Sequence, residues 1–230
     1  MFYYYDPTMI LVLIGALLSM WASSRVQSTF NKYSRVRSMT GMTGAEAARR
    51  LLNSQGIYDV TVRSVPGQLT DHYDPRNKTL NLSDSVYGSS SVASIGVAAH
   101  ECGHAIQDNV GYAPLKIRGA FVPVANFGAK LSLPLILIGL LIGFTSFIEV
   151  GIWMFVLVVL FQVITLPVEF NASSRAVALL GETGILQDSE LDHTKKVLGA
   201  AALTYVAAVA ASVLQLLRLL ILFGGRRDRD

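Results

Sequence analysis

The hydrophobic and polar positions of this chain fall into two regimes. Residues 7–22, 131–148, 151–168 and 200–223 are long apolar runs, and between them the chain alternates at helix and strand periods. The two middle runs carry no charge and have the length, roughly 17–25 residues, that a helix needs to cross a bilayer. They read as two spans joined by a tight connection over residues 145–151. The first run opens with Tyr3, Tyr4, Tyr5, Asp6 and Pro7 rather than the basic start of a cleaved signal. An aromatic belt, a capping aspartate and a proline at the first helical position suit a permanent anchor.

Between the first two runs, residues 23–40 are polar and basic and read as a linker. Thr43 and Glu46 then form a capping-box pair ahead of AARRLLNSQG, with Gly56 just past the helix end. Residues 58–65 alternate as a strand closed by Pro66 and Gly67. Residues 69–73 and 78–82 flank DPRN as a hairpin, and the serines at 89–91 cap a helix through SIGVAAHECGHAIQ. After the third apolar run, helical periodicity resumes at EFNASSRAVALL, and a polar loop, GETGILQDSELDH, leads into a last long helix.

The expected fold is therefore α+β with transmembrane helices: mostly helical, membrane-embedded, with a small β-sheet. Its parts are an anchor (1–23), a cytoplasmic catalytic part (24–130), a transmembrane hairpin (131–168) and a second catalytic part ending in an apolar helix (169–230). Composition agrees, with 52% hydrophobic and 15% charged residues in 230 and a mean hydropathy of +0.45. Charge sets the orientation. No Lys or Arg precedes the first run, whereas eleven lie between Arg25 and Arg118, which places that region in the cytoplasm. The last helix is ambiguous, because a span would put Arg226, Arg227 and Arg229 outside. Its alanine-rich first half suggests instead that it packs on the catalytic unit and ends at the membrane surface, leaving the tail cytoplasmic. The net charge of +3 calls for no nucleic acid, since the basic residues sit where juxtamembrane loops would place them. Cys102, the single cysteine, excludes an internal disulfide and a cysteine-rich zinc site.

The chemistry lies in HECGH. On a helix, His100 and His104 share one face and can offer imidazole nitrogens to one tetrahedral cation, with Glu101 beside the open position as general base. Two imidazoles and a carboxylate following the apolar SIGVAA are costly in a buried helix unless paired. A catalytic zinc needs a third protein ligand. His72, Glu169, Glu182, Glu190, His193 and the aspartates qualify. Glu169 is preferred, because it would leave the third run at the start of the EFNASSRA helix on the same side as HECGH. Arg175, His193 and Tyr205 are candidates to stabilise the transition state. The hairpin strand at 70–73 can offer an edge to an extended peptide.

HECGH, two spans, LPVEFNASSRA, AALTYVAA and TDHYDPRNKTLNLS together resemble the YugP-like bacterial membrane zinc metallopeptidases, HExxH gluzincins similar in plan to HtpX and the CAAX prenyl proteases. The resemblance covers most of the chain from about Gly67 onward. It implies a zinc endopeptidase of the bacterial cell membrane acting on membrane-associated polypeptides at the cytoplasmic face, with Glu169 as third ligand. The broader group follows that glutamate, four positions on, with an aspartate. Here Ser173 stands in its place, able to hydrogen-bond a histidine ligand but without the negative charge. The competing reading, from a different class, is a non-catalytic membrane adaptor whose zinc only joins the two parts.

Overall fold

The computed structural model describes residues 6–224. Among them are seven helices and three strands in the order α1 (Met9–Tyr33), α2 (Gly44–Ser54), β1 (Thr61–Val65), β2 (His72–Asp74), β3 (Thr79–Ser83), α3 (Asp84–Tyr87), α4 (Val92–Asn109), α5 (Ala113–Ile142), α6 (Thr145–Glu182) and α7 (Ser189–Phe223). The chain divides into two compact units, and α1, α5, α6 and α7 each contribute to both. These four are also the helices long and apolar enough to cross a membrane.

The first unit comprises residues 6–23, 117–166 and 204–224. Within it α1 and α7 run antiparallel: Arg218 pairs with Asp6 at 2.7 Å, and a methyl group on Gly15 would stand 3.0 Å from the Cα of Ala211. Ile136, Ile148, Ile152 and Leu219 form its buried cluster. Only a small fraction of its apolar side chains is covered by protein, as expected of helices whose solvent is lipid.

The turn between the two middle helices falls at Gly143 and Phe144, inside the run 131–148 that hydropathy reads as one span. Gly143 takes φ +71° and the Phe144 N–H caps Gly139 O at 2.9 Å, so residues 145–151 begin α6 rather than connecting it. A glycine cap within a continuous apolar run leaves no hydropathy signal. The last helix is divided between the two units. Only residues up to Leu203 belong with the unit that bears HECGH, and from Thr204 it groups with the apolar helices. The tail 225–230 lies outside the described residues, as do Tyr3, Tyr4 and Tyr5.

The second unit comprises residues 24–116 and 167–203. Residues 24–33 are helical, not linker, because Phe30 and Tyr33 are buried in this unit's core. The capping box at Thr43 forms as expected, with Thr43 Oγ1 accepting from the Glu46 N–H and the Glu46 carboxylate from the Thr43 N–H. It starts α2, whose Leu51 and Leu52 enter the core beside Leu80, Leu82, Ile95, Leu180 and Leu186. The expected hairpin forms, with His72 opposite Asn81 and Asp74 opposite Thr79. The strand at β1 is shorter than residues 58–65 and lies parallel to β3, giving the sheet order β1-β3-β2.

Pro167 does not end the third apolar helix. A proline inside a helix costs ~3 kcal/mol. Val168, Ala172, Ala176 and Leu180, spaced four apart, are fully buried in a continuous stripe, and each large apolar side chain so buried contributes ~1.5–3 kcal/mol. The stripe outweighs the lost bond. Glu169 therefore sits mid-helix rather than opening one, and His193 lies in α7 rather than in a loop.

Candidate metal centre

Ser91 caps α4 by accepting from the Ser94 N–H at 3.1 Å, and fully buried Ala93, Ile95 and Ala98 anchor the helix in the core. This fixes the face that carries His100 and His104. Their rings stand 4.8 Å apart at 84° to each other. Opposite them α6 comes unusually close, because the helix backbone passes directly over Gly103: a methyl there would lie 2.6 Å from the Ala172 carbonyl oxygen. Glu169, one turn before Ala172, is thereby delivered to both histidines.

Glu169 Oε2 lies 3.3 Å from His100 Nε2 and 3.6 Å from His104 Nε2, with 3% of the glutamate side chain exposed. The ligand atoms of all three residues lie within 4.8 Å of one another. Donors held ~2.0–2.1 Å from a tetrahedral zinc stand ~3.3 Å from each other. The two histidine–carboxylate separations match that edge and exceed the ~2.7–2.9 Å of a direct charge-assisted hydrogen bond. The donor set, two imidazoles and one carboxylate, fits a catalytic zinc with an open fourth position. Glu101, 8% exposed, follows His100 on the same helix.

Each histidine turns its other nitrogen to a neutral partner. Ser173 Oγ lies 3.0 Å from His100 Nδ1, and Gln107 Oε1 lies 3.0 Å from His104 Nδ1. Burial opposes charge on His104, but the Glu169 and Glu101 carboxylates beside it outweigh it and raise its pKa.

Among the described residues the metal cluster consists of His100, His104 and Glu169, and the remaining sequence candidates are not part of it. His72, on β2, bonds Thr70 O and the Asn81 side chain on β3, and Glu190 accepts from the Met39 N–H at 2.8 Å. His193 stacks on Tyr33 at 4.7 Å. Glu182 closes α6, and Tyr205 falls in the other unit. Arg175 reaches the site indirectly, donating from Nε to Asn171 Oδ1 at 2.8 Å. Cys102 is fully buried and points at Ala48 O, as a small hydrophobe. Sequence reading overlooked Gly103 and Gln107. Gln107 had a signal, since it falls three positions past His104 on the same helix face.

This cluster, on a largely helical chain with four apolar helices, is the donor set expected of a membrane zinc metallopeptidase, and comparison with known proteins agrees. Residues 8–224 match the family described as "Putative neutral zinc metallopeptidase", and the chain belongs to it. It is 47% identical over 222 residues to the "Putative membrane protease YugP" of Bacillus subtilis (strain 168), covering 96% of this chain and 99% of that protein. No solved structure matches.

Proposed function

We propose that the chain is a membrane-bound zinc endopeptidase that hydrolyses peptide bonds in membrane or membrane-proximal proteins, with His100, His104 and Glu169 as zinc ligands and Glu101 as general base. The observation that carries this reading is the three-donor cluster with a buried glutamate between its two histidines. A structural site has four protein ligands and no use for Glu101. Among the described residues the cluster offers three, which favours catalysis over the adaptor reading.

Zinc, when bound, supplies a Lewis acid for the scissile carbonyl and acidifies a water to pKa ~7. Glu101 accepts the water's proton and passes it to the leaving nitrogen. Glu169 adds the negative charge that two neutral imidazoles lack, and Ser173 and Gln107 orient the imidazoles. β2 is an edge strand tied to the histidine helix by Tyr73 Oη donating to Asp108 at 2.9 Å, which supports its use by an extended substrate. The basic residues between Arg25 and Arg118 support a cytoplasmic site. The antiparallel pairing of α1 with α7 supports a fourth span.

Glu101→Gln, which keeps size but removes the base, tests the reading. Zinc content should stay at the wild-type level while proteolysis of a membrane-protein panel falls at least ~100-fold. Unchanged turnover would sink the mechanism.

A further inference from the structure

Gln107 has no exposed surface and uses both ends of its amide. One end faces His104 Nδ1 at 3.0 Å. The other faces Val168 O at 2.8 Å and Asn171 Oδ1 at 3.0 Å. A backbone carbonyl only accepts, so the end at Val168 is the NH2 group and the end at His104 is the oxygen. Asn171 is oriented independently, because Arg175 Nε can only donate and points at the same Oδ1 at 2.8 Å. Two groups with a single hydrogen-bonding role, a carbonyl and a guanidinium, thus fix both amides between them. An oxygen at Nδ1 requires a proton there, and a neutral imidazole protonated at Nδ1 has its lone pair on Nε2. That nitrogen is the one facing Glu169 at 3.6 Å.

We propose that Gln107, oriented by Val168, Asn171 and Arg175, is the positioning residue that fixes the metal-binding tautomer of His104. The proposal rests on His104 being a zinc ligand. The two histidines are not treated alike. Ser173 beside His100 is a hydroxyl that donates or accepts as required, so it orients that ring without choosing its tautomer. Gln107 also bonds the carbonyl immediately before Glu169, so one side chain fastens a histidine ligand and the segment that delivers the glutamate. Arg175 enters this arrangement through its Nε bond to Asn171.

The test uses the full chain in detergent and measures zinc affinity by competition with a chelator for wild type, Gln107→Met and His104→Ala. Gln107→Met keeps the side chain's length and removes both polar ends. It should bind zinc ~10–100-fold more weakly. If His104→Ala abolishes tight binding while Gln107→Met stays within ~3-fold of wild type, the proposal is overturned and the ligand assignment stands. If His104→Ala itself binds like wild type, the ligand assignment fails. A nitrogen-15 histidine spectrum of the zinc-loaded wild type keeps the proposal testable even where Gln107→Met does not fold. Protonated Nδ1 and metal-bound Nε2 at His104 support it, and the reverse arrangement refutes it. In folded Gln107→Met the hydrogen-bonded Nδ1 proton signal should be lost.

Discussion

The Cα of Gly103 faces the backbone of Ala172 so closely that a methyl on it would stand 2.6 Å from the carbonyl oxygen and 3.0 Å from the Cα. Backbone cannot swing aside as a flexible side chain does. Gly103→Ala should therefore displace α6 from α4, costing ~1–3 kcal/mol of stability and moving Glu169 off the histidines. Zinc affinity should drop by at least tenfold, read by chelator competition, with a lower Tm. Gly88→Ala is the control, since nothing lies within 4 Å of its would-be Cβ. Wild-type zinc binding by Gly103→Ala would mean that the close approach does not set the site.

The third ligand is tested by contrast. Glu169→Ala removes one of three protein donors and should weaken zinc by orders of magnitude. His193→Ala should leave zinc bound, because that ring stacks on Tyr33 and takes no part in the cluster. The opposite pattern would make this a three-histidine site.

Removing the metal should stop proteolysis without unfolding the protein. The second unit has its own apolar core, so a chelator should abolish activity reversibly, with zinc restoring it and far-UV circular dichroism unchanged. Loss of helical signal on chelation would instead favour a structural zinc.

Topology follows from the α1–α7 pair. With Asp6 bonded to Arg218, the end of α7 lies at the same end of its unit as the start of α1. Cysteines placed at Thr8 and Gly224 should react together with an impermeant reagent applied to intact cells, and a cysteine at exposed Asn53 should react only after permeabilisation. Labelling at Thr8 without Gly224 would show that α7 does not cross.

Much of this was legible in the chain. Thr43 and Glu46 announced α2, DPRN the hairpin, and the spacing of His100, Glu101 and His104 their shared face, because each depends on residues within one turn or one hairpin of each other. Errors came where a local signal was overridden from a distance. Phe30 and Tyr33 extended α1 through a polar stretch, and the buried stripe from Val168 to Leu180 carried α6 through Pro167. Gly143 turned the chain where hydropathy saw only an apolar run.

The sequence by itself determined the periodic elements, the apolar segments and the residue types able to bind zinc, since these follow from short-range sterics and from side-chain chemistry. Only the tertiary structure decided that Glu169 meets two histidines more than sixty positions away, that the backbone of α6 passes close over Gly103, and that Gln107 presents its oxygen to His104. Those relationships depend on how closely α4 and α6 approach and on which carbonyl each amide finds. Both are set by the packing of side chains far apart in the chain, which no local pattern encodes.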